Sequence, residues 1–212
     1  MDVGRAFVFP FEDSDWVKKL IVIAIISLIP VLGQVWLLGW STEITRRVIR
    51  KDTVQLAGFD DLGDQLVLGL KAMVIGFVYA IPMFIFASPI PLTSVFAGSD
   101  SADTVIPLVS VCCGCLLFLY GILLALIIPA AFGELAATDK LGSAIHPGRI
   151  LELLRADFGA YIVAWLGAII AGFIGGLGII LCVVGVIFTM AYAYAIIGHL
   201  YGQAYVKATE PA

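Results

Sequence analysis

Four long stretches without a formal charge divide the chain. Residues 20–42, 72–99, 104–133 and 158–206 contain no Asp, Glu, Lys or Arg. A helix needs about 20 apolar residues to cross the hydrocarbon core of a bilayer. Each stretch is long enough for one crossing, and the last is long enough for two. They are continuously apolar, as in "LGAIIAGFIGGLGIILCVVGVIF", and lack the two-residue alternation of a membrane barrel strand. The pattern predicts an all-α, polytopic transmembrane helical bundle of about six membrane helices, built as a single domain over residues 1–212.

Punctuation between the stretches sets the expected elements. Residues 1–15 read as a polar lead-in in which Pro10 blocks an earlier helix start, with Asp13 or Ser14 available to cap a helix at Trp16. From Trp16 to Arg50 one helix would be roughly 52 Å long, but Pro30 and Gly33 interrupt it. Residues 16–50 are therefore a broken helix or a short hairpin. Residues 51–65 form a connection whose end is amphipathic, with Leu62, Leu66 and Leu70 in one stripe and Asp60, Asp61 and Asp64 off it. A span over 66–91 ends at "SPIP". An external loop over 92–103 follows, with Asp103 as a cap for the span at 104–137, which contains Pro107 and Pro129. In the connection at 138–158, Arg149, Glu152 and Arg155 oppose Ile150, Leu151, Leu153 and Leu154. This predicts a helix in the headgroup plane, with an ordinary soluble loop helix as the alternative. Residues 159–206 read as a helical hairpin turning at "GGLG", 175–178.

Cationic residues orient these elements. The connection at 46–71 holds Arg46, Arg47, Arg50, Lys51 and Lys71; the one at 138–158 holds Lys140, Arg149 and Arg155; Lys207 lies in the tail. The loop at 92–103 and the turn at 175–178 hold none. Lys and Arg accumulate in cytoplasmic connections, so both termini are expected in the cytoplasm. A turn at "PVLG" also leaves Arg5, Lys18 and Lys19 inside, whereas a single span would strand them outside. Its arms, at about 14 to 17 residues or roughly 21 to 25 Å, fall short of a full crossing. A faint internal match agrees with a hairpin, which is the favoured reading. "PVLGQVWLLGW" at 30–40 aligns with "CVVGVIFTMAY" at 182–192, the start of a return arm.

Composition adds what pattern alone leaves open. The chain is 61% hydrophobic and 13% charged, against about 45–50% apolar and about 25% charged in soluble domains. Acidic residues before the first apolar run and the lack of a small-x-small site argue against a cleaved signal peptide. No basic tract suggests nucleic acid. Cys112, Cys113, Cys115 and Cys182 lie in apolar runs and do not form a disulfide framework. With no His or acid near them in sequence they read as small apolar filler, and no metal or other cofactor is expected. There is no HExxH, GxSxG or phosphate-cradling Gly loop, which argues against an enzyme.

Two groups of residues are candidates for more than lipid contact. Gly167, Ala171 and Gly175, a parallel set at 168, 172 and 176, and the pair Gly198 and Gly202 have the spacing that lets helices approach closely, within this chain or between subunits. Glu43, Lys71, Glu134, His199 and Gln203 fall at the cytoplasmic ends of their spans, where they could converge. Glu134 and His199 could form a proton-handling pair. The plain alternative for Glu43 is a helical ion pair with Arg47 four residues on.

"FPFEDSDW", "IPVLGQVWLLGW" followed by "RR", "GLKAMVIGFVYAIP" and "GHLYGQAY", in that order, resemble the prokaryotic membrane family known as domain of unknown function 4013. The resemblance implies a multi-pass protein of the prokaryotic cytoplasmic (inner) membrane and carries over no activity or site residue. The sequence therefore favours a non-enzymatic scaffold or accessory subunit whose partners are the lipid bilayer and a membrane protein or a second copy of itself. A small-solute or ion transporter or channel is the first alternative, and a lipid-acting membrane enzyme the second.

Overall fold

The computed structural model describes residues 1–59, 61–92 and 102–210, and every regular element in them is a helix. The all-α bundle expected from the apolar runs is what forms. The chain opens with α1 (Val3–Val8), capped by Asp2, whose carboxylate accepts from the Arg5 N–H at 2.9 Å. A 3-10 turn over Phe9–Glu12 follows. The lead-in is thus helical, and Pro10 does not prevent this. It sits in the first positions of the turn, where its missing N–H would have had no partner.

Helices α2 (Trp16–Ser27) and α3 (Leu32–Arg50) fold back on each other. Between them Val31 has a positive φ of 65° and is the centre of a tight turn closed by the Leu32 N–H on the Pro30 carbonyl at 2.8 Å. Gly33 is pressed against the end of α2, where a Cβ would lie 2.8 Å from the Ser27 Cα. Lys19 near the start of α2 and Arg47 near the end of α3 both donate to the Leu56 carbonyl, at 3.1 and 3.4 Å. In one continuous helix they would be roughly 42 Å apart. The broken segment is a hairpin, and neither arm is among the helices long and apolar enough to cross a membrane. The 12 residues of α2 rise only about 18 Å, and α3 carries four charges in its second half.

The remaining helices are α4 (Leu62–Ala87), α5 (Pro89–Leu92), α6 (Ala102–Thr138), α7 (Leu141–Ile145), α8 (Pro147–Ala156), α9 (Phe158–Leu177) and α10 (Cys182–Thr209). Four segments are long and apolar enough to cross a membrane: Leu62–Pro91, Thr104–Thr138, Phe158–Ile180 and Gly185–Thr209. The expected count of about six is therefore four among the described residues, plus the short hairpin. "SPIP" does not end helical geometry outright. After Ser88, Pro89 begins the single turn of α5. Asp60, the loop residues 93–101 and the side chain of Asp103 lie outside the described residues, so the stripe's first acid, the external loop and its cap do too.

One further detail departs from the sequence reading. The turn between α9 and α10 falls in a 3-10 segment at Gly178–Leu181, slightly later than "GGLG", closed by a 2.7 Å hydrogen bond from the Thr189 hydroxyl to the Gly175 carbonyl. On α4 the leucine stripe is not the packed face. Leu62 and Leu70 are exposed, while Gln65, Leu68, Gly69, Ala72, Ile75 and Tyr79 are buried. In a membrane the apolar stripe can face lipid tails, and small residues then take the inside.

Helix α10 is the axis of the bundle, packed against α9, α3, α6 and α2. Large apolar side chains such as Phe77, Phe84, Leu108, Phe118 and Phe173 point outward, as a lipid-facing surface requires.

Candidate functional site

The Lys and Arg side chains gather at one end of the bundle, together with α1, the connection between α3 and α4, the α7–α8 segment and the end of α10. The two termini meet there. Gln203 on α10 accepts from the Asp2 N–H at 2.7 Å and donates to the Asp2 carbonyl at 2.9 Å. The polar candidates are all at this end, distributed over three separate networks.

The first network ties α3 to α4 and α6. Glu43 accepts from Arg46 and Arg47 at 3.2 and 3.3 Å. Arg46 also donates to the Ala136 carbonyl at 3.2 Å and to the Asp139 carboxylate at 3.0 Å. Lys71 reaches the same Asp139 oxygen at 3.0 Å and the Asp139 carbonyl at 3.1 Å. Asp139 follows the last turn of α6 with φ 58°, a left-handed position that Asn and Asp adopt more readily than most residues. That geometry swings its carboxylate between Arg46 and Lys71. Glu43 and Lys71 thus belong to one network through Arg46 and Asp139.

The second network surrounds Glu134, which is buried in α6. One carboxylate oxygen accepts from the Tyr205 hydroxyl at 2.9 Å and from Arg149 Nε at 3.2 Å. Arg149 lies on α8 and also pairs with Glu152 at 2.9 Å. The two acids, Glu152 foremost, push the guanidinium pKa above its ordinary value. The buried hydroxyl of Tyr161 has no protein partner. Close approach here depends on Gly133, where a Cβ would be 2.8 Å from the Tyr205 ring.

The third network centres on His199, also buried. Its ring stacks on Phe9 at 4.4 Å between centroids and 22° between planes. Gln203 Nε2 lies 3.0 Å from Nδ1, and Gln55 Oε1 lies 2.8 Å from Nε2. The Asp2 N–H fixes the Gln203 amide with its oxygen toward the N-terminus. Its nitrogen therefore donates to Nδ1, and Nε2 carries the proton that goes to Gln55. This is a neutral, fully paired imidazole. No hydrogen bond joins it to Glu134 among the described residues; each is engaged in its own network.

The small residues lie at crossings inside this chain. A Cβ on Gly167 would be 2.6 Å from Leu200 Cδ1, and one on Gly175 would be 2.9 Å from Met190 Sδ, where α9 meets α10; Ala171 is fully buried. Gly198 and Gly202 face α3. A Cβ at Gly198 would collide with the Ser41 carbonyl, and one at Gly202 would lie 2.7 Å from Val48 Cβ. Hydroxyls bind the same crossing: Ser41 donates to the Tyr194 carbonyl at 2.8 Å and Thr45 to the Gly198 carbonyl at 2.9 Å. Ala168 is half-buried, and Gly172 and Gly176 are exposed with open space beside them.

Asp139, Gln55 and Asp2 were not among the sequence candidates. Asp139 leaves a trace, the second acid after the uncharged run 104–133. Gln55 and Asp2 leave none, because their partners are far away in sequence. Cys112, Cys113 and Cys115 are free thiols, the second buried and the others exposed. Among the described residues no three His, Cys, Asp or Glu side chains stand close enough to hold a metal ion.

Residues 22–184 match the model of a family described as a protein of unknown function, DUF4013. The chain belongs to this family. The match runs from the second half of α2 through α3 to the start of α10, leaving the segments "FPFEDSDW" and "GHLYGQAY" outside its limits. No curated protein and no solved structure matches the chain.

Proposed function

We propose that this multi-pass membrane protein is a non-enzymatic scaffold or accessory subunit that holds another membrane protein, with its charged end in the cytoplasm. The observation that carries the role is that, among the described residues, the buried polar side chains other than the Tyr161 hydroxyl are hydrogen-bonded within the chain. Ser41, Thr42, Thr45, Gln65, Glu134 and His199 each hydrogen-bond within the chain. Polar groups that serve a solute path are presented to a water-filled cavity. Here the networks fasten helices to one another, and the polar cavity that Glu43 and Gln65 also line, about 270 Å³, is at the charged end. Orientation rests on the cations, which crowd one end while the α9–α10 turn at Gly178–Leu181 has none.

Isolation in mild detergent after crosslinking in intact membranes tests the role. A defined membrane-protein partner recovered at fixed stoichiometry is the expected result. A lone monomer that restores solute flux to proteoliposomes would replace this reading with transport.

A further inference from the structure

We propose that the groove at the base of the α2–α3 hairpin binds an anionic phospholipid of the adjoining leaflet, with its phosphate beside Lys18 and Arg47 and its acyl chains along α2. This goes beyond the scaffold role and does not depend on it. A cavity of about 430 Å³ is lined by Asp15, Lys18, Lys19, Arg47, Gly58 and Phe59. A second, of about 490 Å³, shares Asp15 and Lys18 and continues along α2 past Val17, Ile21 and Val22. The lining thus changes from cationic to apolar in the order of a phospholipid from headgroup to tail.

The helix period places Lys18, Ile21, Ile25 and Leu28 on one face of α2. Ile21, Ile25 and Leu28 are 44%, 60% and 56% exposed, so this face is open along its length. Trp16 opens α2 two residues before Lys18, and Trp is enriched at membrane interfaces.

Charge favours an anion. Three cations and one acid, Asp15, line the polar cavity. Lys19 is engaged by Asp13 at 2.6 Å and Arg47 by Glu43 at 3.3 Å. Lys18 is exposed and has no ion pair among the described residues. A phosphodiester beside Lys18 would supply that partner, with Arg47 as the second donor.

The test titrates the full-length protein in mild detergent with dioleoyl phosphatidylglycerol and counts bound lipid by native mass spectrometry. Removing one cation near a lipid phosphate changes affinity roughly fivefold. Lys18→Ala should weaken phosphatidylglycerol by that factor and Lys18→Glu by more, while Asp15→Asn should strengthen it. Lys140→Glu, a charge reversal at an exposed site away from the groove, should leave it unchanged. Millimolar inorganic phosphate should not displace the lipid, because the apolar half of the groove contributes. Lys18 is exposed and has no ion pair to lose among the described residues, and an unchanged melting temperature verifies that each variant is folded. Equal losses from Lys18→Glu and Lys140→Glu, no preference over phosphatidylcholine, or displacement by free phosphate would each overturn the proposal.

Discussion

Gly39 of α3 and Gly69 of α4 lie against each other's backbone. A Cβ on Gly39 would overlap the Gln65 carbonyl oxygen, and one on Gly69 would overlap the Val35 carbonyl oxygen. Both neighbours are helix backbone, which cannot rotate aside as a side chain can. Overpacking a tight site costs about 1–3 kcal/mol, and contact with backbone belongs at the upper end. Gly39→Ala or Gly69→Ala should lower stability by about that amount in a detergent unfolding titration. Gly63→Ala, where nothing lies within 4 Å, should be neutral or slightly stabilising through helix propensity.

The Glu134 network makes a second prediction. Glu134→Ala removes the acceptor of the buried Tyr205 O–H and leaves only Arg149, itself a donor, beside it, a penalty of about 1–3 kcal/mol. Arg149 keeps Glu152 and is over a third exposed, so its loss adds little. Glu134→Gln retains an acceptor for Tyr205 and should lose less than Glu134→Ala. Thermal unfolding of the two variants in one detergent checks the order; equal losses would mean that Tyr205 draws nothing from residue 134.

Much of this architecture was legible in the sequence, for identifiable reasons. Uncharged length exposes the spans, because burying a charge in hydrocarbon is costly enough to leave a visible gap in charge. The hairpin at Pro30–Gly33 was legible from the placement of Lys18 and Lys19 beside Arg46 and Arg47. What escaped depends on contacts between distant segments. Gly39 and Gly69 are single glycines on different helices, so no spacing rule within one helix finds them. Gathering Glu43, Lys71, Glu134, His199 and Gln203 at one end followed from topology, but side-chain direction divides them among three networks. The leucine stripe at Leu62, Leu66 and Leu70 does not show which face packs, because amphipathicity marks the buried face in water and lipid can reverse that meaning.

Asp13 gives the fold a pH dependence at its charged end. Burial raises its carboxyl pKa, but this is outweighed by hydrogen bonds from Lys19 and the Asp15 N–H, and the net result lies below the ordinary 3.8. A carboxylate whose folded pKa is depressed contributes stability above the unfolded value and loses it as pH falls through the folded one. Asp13→Asn should therefore lower the melting temperature at pH 7. The gap between variant and wild type should close as the pH is taken below 3.8. A gap that persisted unchanged at the acid end would assign the effect to lost packing rather than to charge.

The depth of the α2–α3 hairpin makes the last prediction. Leu28, Ile29, Val31 and Leu32 at its tip are all at least 48% exposed, yet α2 rises only about 18 Å from the charged end. With Trp16 at the interface, a tip at that height lies inside a hydrocarbon core of about 30 Å and short of its far face. Leu28→Cys should therefore gain no reactivity toward a membrane-impermeant maleimide added to either side of sealed vesicles, above the baseline of the native cysteines. Thr53→Cys, exposed in the α3–α4 connection, should label from the charged side alone. Labelling of Leu28→Cys from the side opposite Thr53→Cys would require α2 and α3 to complete two crossings, raising the count from four to six.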